Sequence, residues 1–128
     1  MPRKFVSLQG LTILVGRNAK ENEALTFKSA NINDLWFHIE EGTGSHVILV
    51  TDGKLESDII PSIQTAANIA AYYSCKSKES HTKSVSVIYG YVIDIKKPKY
   101  ASKGTVDIEK YNVITGHPHK FSVLSQSG

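Results

Sequence analysis

Apolar residues in this chain recur in short runs that change period along its length. Phe5 to Leu8 and Leu11 to Val15 read as two strands, with Gln9-Gly10 as the turn between them. Gly16 ends the second run. Asn18 then offers a side-chain oxygen as a helix cap, and Glu21 stands where a capping box needs an acid. A helix is predicted from Ala19 to Ser29, with Ala24, Leu25 and Lys28 on a partial apolar face. Leu35 to Glu40 alternates, placing Trp36 and His38 on one face and Leu35, Phe37 and Ile39 on the other. Glu41 to Gly44 is a tight link, His46 to Val50 the next strand, and Asp52-Gly53 a turn.

The period then lengthens. Lys54 to Asp58 is polar, Pro61 suits a first helical turn, and a helix runs to about Ser74. Its face of Ile63, Ala66, Ala67, Ala70 and Ala71 is small enough to pack close to a sheet. Cys75 to Lys83 reads as a polar connection. Val85 to Tyr89 is a strand with room to extend to Ile93. Lys96 to Gly104 is a loop, and Thr105 to Ile108, Tyr111 to Ile114 and Phe121 to Leu124 are short strand candidates. The expectation is α+β: one domain over residues 1–128, a mostly antiparallel sheet packed against two helices.

Composition excludes several classes. The apolar fraction of 41% and charged fraction of 21% are those of a globular chain. Single Cys75 can form no internal disulfide, and with no signal peptide this favours a reducing, cytosolic setting. No apolar run reaches membrane-spanning length. The net charge of +3 is modest but unevenly placed. Residues 1–75 hold six Lys/Arg against eight Asp/Glu, net −2, whereas residues 76–110 hold eight Lys against four acids, net +4.

The densest chemistry lies in Asp34-Leu35-Trp36-Phe37-His38 and Gly44-Ser45-His46-Val47, which hold the only Trp and two of the five His. Two adjacent strands would set carboxylate, imidazole and hydroxyl groups beside one surface. Together with Gly16-Arg17-Asn18, the Ala66-Ala67 to Tyr72-Tyr73-Ser74 helix, Val85 to Tyr89, Lys97-Pro98-Lys99 and Gly104-Thr105-Val106, these segments resemble the NFACT-R domain, from about residue 11 to 106. That domain occurs in ribosome-quality-control factors and in stand-alone proteins. The resemblance implies RNA binding, with tRNA or ribosomal RNA as partner, a link to the ribosome or to a larger NFACT-like complex, and no cofactor. The N-terminal domain, helix-hairpin-helix segment and coiled coil of the multidomain members are absent from these 128 residues, which therefore read as a stand-alone version or a fragment.

The candidate contacts follow, each with a plainer alternative. Trp36 can stack on a base, or be a core residue; His38 and His46 can meet phosphate or 2′-hydroxyl groups, or brace a hairpin. Asp34, four residues from His38, would raise the imidazole pKa. Gly44 and Ser45 can aim amides at an anion, or form a turn with positive φ at Gly44. Arg17 is placed for phosphate at a helix start, with Asn18 as cap or ligand. Lys96, Lys97, Lys99 and Lys103 with Tyr100 form a basic loop, and Lys76, Lys78 and Lys83 extend it if the fold joins the two segments.

A metal reading of His81, His117, His119 and Cys75 has weak support, since no ligand motif is present. Two other functions stay open. One is a metal-dependent phosphodiesterase built on Asp34, His38, Glu40 and His46, and the other is a module for an acidic protein partner.

Overall fold

Alternation along residues 35–39 sorts the chain into two layers on either side of one sheet. The computed structural model describes residues 2–80 and 82–127. Strands β1 (Arg3–Ser7), β2 (Thr12–Val15), β3 (Leu35–Ile39), β4 (Val47–Leu49), β5 (Val85–Tyr91), β8 (Asn112–Gly116) and β9 (Val123–Ser127) form a seven-stranded sheet in the order β8-β5-β3-β4-β2-β1-β9. Every pairing in it is antiparallel. A separate pair, β6 (Ile95–Lys96) and β7 (Asp107–Ile108), closes the lysine-rich loop into a hairpin. This is the expected α+β arrangement.

One face of the sheet packs on helix α2 (Ile60–Tyr72). Leu35, Phe37 and Ile39 join Phe5, Ile13, Val15, Val47, Leu49 and Val87 against Ile63, Ala66, Ala67, Ile69, Ala70 and Ala71. Each large side chain buried here contributes roughly 1.5–3 kcal/mol. The small helix face matters sterically as well as through burial. A Cβ at Gly116 of β8 would lie 2.6 Å from the Ala67 carbonyl oxygen, so the strand approaches the helix as only glycine permits.

The other face carries Trp36 and Ile48, flanked by Leu14 and Ile88. Leu25, Val92 and Ile95 cover it, with Val106 and Ile108 of the hairpin packed alongside. The first helix is α1 (Ala19–Ala24), and its last turn, Leu25–Ser29, is wider, closed by Ala30 N donating to Leu25 O over 2.9 Å. The expected Ala19 to Ser29 span is thus helical throughout, but its winding changes. Both Leu25 and Thr26 are buried in that wider turn, Leu25 in the apolar layer and Thr26 on His46.

Several boundaries differ from the sequence reading; the last strand, for example, is Val123–Ser127 rather than Phe121–Leu124. Cys75–Glu79, expected as a connection, is a third short helix, α3, whose Ser77 Oγ donates to the carbonyls of Tyr72 and Ser74 and ties it to the end of α2. Within the polar stretch before α2, Glu56–Asp58 makes a single 3₁₀ turn. His46 lies just outside β4 rather than within it, because its amide donates to Asn22 Oδ1 and its carbonyl accepts from Gly16.

Candidate nucleic-acid interface

The turn from β2 into α1 is built by interlocked side chains. Asn18 Oδ1 accepts from the Glu21 amide at 2.9 Å, the cap expected from sequence. Glu21 reaches back to the Arg17 amide at 2.9 Å and receives the Arg17 guanidinium as a fork at 3.1 and 2.7 Å. That pairing pulls the Glu21 carboxyl down to about 2. Gly16 is required here, since a Cβ would fall 2.0 Å from Asn22 Oδ1. Buried Asn22 in turn holds the His46 amide, so the turn and the Gly44–His46 link are one unit.

Arg17, Asn18 and Ser45 from the sequence reading meet on a groove of about 400 Å³. Three residues that the sequence reading did not place there complete it: Arg3 from β1, Tyr72 from α2 and Lys78 from α3. The Arg3 guanidinium sits 4.7 Å above the Tyr73 ring. Arg3 had no local signal, being far in sequence from the rest. Lys78 was visible as part of a lysine cluster, and it lines the same groove as Arg17.

The Gly44-Ser45 amides do not form an anion nest. Ser45 N donates to Tyr73 O at 3.0 Å, and Gly44 pairs with Ser74. Nor does Gly44 have positive φ; Gly42 does, at 111°. A Cβ at Gly44 would lie 3.2 Å from the Ser74 Cβ, so a larger residue there would require Ser74 to give by a few tenths of an ångström.

The aromatic and histidine cluster lies beneath the surface. Trp36 is 2% exposed, so the indole offers no face to a base, and its Nε1 is buried without a partner among the described residues. His46 is also 2% exposed, with Nδ1 bonded to Thr26 Oγ1 at 2.8 Å and Nε2 to Gly104 O at 2.9 Å. Since a carbonyl only accepts, Nε2 carries the proton and the Thr26 hydroxyl donates to Nδ1. His38 stacks on Trp36, donates from Nδ1 to Ile39 O at 2.7 Å, and lines a cavity of about 240 Å³ under the Gly104–Ile108 segment.

Asp34 is not beside His38. It is 3% exposed, and its carboxylate accepts from the Asn31 and Thr51 amides at the opposite end of β3. Burial therefore controls both imidazoles: His38 is lowered, and His46 is lowered to about 4. The expected rise in histidine pKa is reversed.

The phosphodiesterase site does not assemble either. Both ring nitrogens of His46 and both carboxylate oxygens of Asp34 are already engaged in internal hydrogen bonds. Among the described residues no group of three or more His, Cys, Asp or Glu is placed to hold a metal ion. His117 bonds Ser84 Oγ at 3.0 Å, and His81 lies outside the described residues.

The basic loop divides in two. Lys96 pairs with Glu109 at 2.6 Å, and Lys97 pairs with Glu23 at 2.5 Å while also donating to Ser102 O. Lys97, bonded to both Glu23 and Ser102, helps fasten the loop, whereas the Lys96–Glu109 pair is largely exposed. Lys99, Tyr100 and Lys103 face outward, with Tyr100 96% exposed. Glu23 also accepts from the Gly104 amide at 3.0 Å, so Gly104 is gripped at its N–H by Glu23 and at its carbonyl by His46. A Cβ added at Gly104 would lie 3.7 Å from Ala19, which lines the groove. The outward loop and the groove are thus neighbours across the first turn of α1.

Residues 1–110 match the family described as "NFACT protein RNA binding domain". The protein called Rqc2 homolog RqcH from Bacillus subtilis is 38% identical over 120 residues, covering 94% of this chain and 20% of that protein. Its Streptococcus suis namesake is 41% identical over 88 residues, 68% of this chain and 15% of that protein. The chain spans about a fifth or less of these curated relatives. Among solved structures, the C-terminal part of the fibronectin/fibrinogen-binding protein of Streptococcus suis superposes with a TM-score of 0.80 at 30% identity, covering 91% of this chain and 46% of that one. By this match over most of its length, the chain belongs to the NFACT protein RNA-binding domain family.

Proposed function

We propose that this chain is an RNA-binding module that takes structured RNA, tRNA or ribosomal RNA, and works in ribosome-associated quality control. Family membership supports the RNA class. The observation that carries the reading to particular residues is the continuity of two cationic zones: Arg3, Arg17 and Lys78 on the groove, and Lys99 and Lys103 with Tyr100 on the loop, joined across Ala19. Separated cations that protrude from different elements suit phosphates along a folded RNA, which are recognised by position rather than by base. The reading includes no bond-making or bond-breaking step. The ribosomal context rests on the relatives named Rqc2 homolog RqcH, of which this chain matches a minor part.

Fluorescence anisotropy of the whole chain with labelled tRNA, a ribosomal RNA hairpin and duplex DNA across a salt series tests it. The expected result is preferential binding to the RNAs, with log affinity falling by roughly 0.7–0.9 per phosphate contact for each log unit of salt. Absence of RNA binding at low salt would end this reading.

A further inference from the structure

We infer that the groove between Arg17 and Lys78 receives one unpaired nucleotide of a single-stranded RNA segment, its phosphate among the cations and its 2′-hydroxyl on Asn18 and Ser45. This rests on the RNA-binding reading and makes it specific to a strand form and a sugar.

Three features converge. The first is shape. The groove is a concavity of about 400 Å³ walled by β1, the β2–α1 turn, the 43–45 link and the α2–α3 junction. A duplex presents its phosphates on a convex cylinder and meets protruding side chains such as Lys99 and Lys103. A recess walled on several sides instead suits a nucleotide that has left the stack.

Charge is the second. Arg3 and Lys78 make no ion pair among the described residues, and the acid nearest Arg17 is already committed to it through the Glu21 fork. An anion entering the groove therefore meets uncompensated positive charge on two sides, from elements distant in sequence.

Hydrogen-bonding capacity is the third. Asn18 spends Oδ1 on the helix cap, while its Nδ2 donors have no partner among the described residues. The hydroxyl of Ser45, on the same wall, has none either. A free amide donor beside a hydroxyl that both donates and accepts matches the 2′-hydroxyl, which does both and which DNA lacks. Tyr72 adds an aromatic wall, 39% exposed and held edge-on against Tyr73 and Phe121.

The test uses the whole chain with labelled short single-stranded RNA, single-stranded DNA of matching sequence, and duplex RNA. For Arg3→Gln/Lys78→Gln, single-stranded RNA binding is expected to weaken about tenfold, with the salt slope reduced by about 1.4, while duplex RNA binding changes less than about twofold. Ser45→Ala is expected to narrow the preference for RNA over DNA single strands. Lys78→Gln alone, on an exposed lysine, keeps the test valid if loss of Arg3 from the Tyr73 ring disturbs folding. The inference is overturned if groove variants bind single-stranded RNA like wild type, if single-stranded and duplex RNA weaken equally, or if wild type does not distinguish RNA from DNA single strands. Failure of wild type to bind any RNA would instead remove the underlying reading.

Discussion

The two faces of the sheet solve different problems. The face under α2 is mostly apolar, and its buried polar groups, such as the Ser7–Ser62 hydroxyl pair at 2.8 Å, are bonded to one another or to nearby backbone. The opposite face mixes Trp36 and Ile48 with His38, His46 and Thr26, and its polar atoms run outward to Gly104 and the cationic loop. The first face holds the fold; the second fastens the lysine-bearing loop to it. Histidines that looked like contacts from the sequence are, on this account, supports for contacts.

Truncation gives the strongest contrast between the faces. Phe37→Ala, on a fully buried residue of the α2 face, should cost about 3–5 kcal/mol in urea unfolding. It should lower RNA binding only in proportion to the unfolded fraction. If Phe37→Ala were tolerated as well as a surface change, the division between the faces would fail.

Acid is the next largest probe, and it acts on the second face. His46 titrates at about 4 in the fold against an ordinary 6.5, so the unfolded chain binds the extra proton. Stability from this group is complete above pH 6.5 and is lost as pH falls from 6.5 to 4. The loss is on the order of 2–3 kcal/mol. His38, also lowered, acts in the same direction. A series of urea midpoints should fall across that window, and His46→Gln should flatten the fall; an equal slope in the variant would contradict the buried, neutral imidazole.

The smallest expected effect is on the loop itself. Glu23→Gln weakens the grip on Lys97 and on the Gly104 amide, with little effect on global stability because the pair is partly exposed. Hydrogen exchange at residues 98–105 should nonetheless quicken while the sheet amides stay protected. Unchanged loop protection would show that Glu23 does not fasten it.

Much of this was readable in advance. Alternation at 35–39 gave the correct faces, and the small-residue helix lay where its pattern put it, because period and burial are local properties of the sequence. The helix at 75–79 was hidden, since its lysines and serines carry no apolar period and Ser77 finds its partners only across the α2 junction. Of the candidate residues, Asn18, Lys99, Tyr100 and Lys103 are exposed, Ser45 is half-buried, Asp34, Trp36 and His46 are inside, and Arg17, Lys96 and Lys97 are ion-paired. Residue type signals hydrogen-bonding capacity, but whether that capacity is spent inward depends on partners such as Thr26, Gly104 and Glu23 that no spacing rule links to them. Arg3 joined the groove for the same reason, by strand order rather than by motif.

On the proposed reading, the outward cations, and not the buried Trp36 cluster, bind RNA. The most direct measurement is tRNA affinity of Lys99→Glu/Lys103→Glu at two salt concentrations, read beside the Trp36 emission of the wild type on adding saturating tRNA. The account predicts at least about a tenfold loss of affinity with a shallower salt slope, and an emission maximum that tRNA leaves in place. Wild-type affinity in the charge-reversed variant, with Trp36 emission quenched and shifted by tRNA, would contradict it.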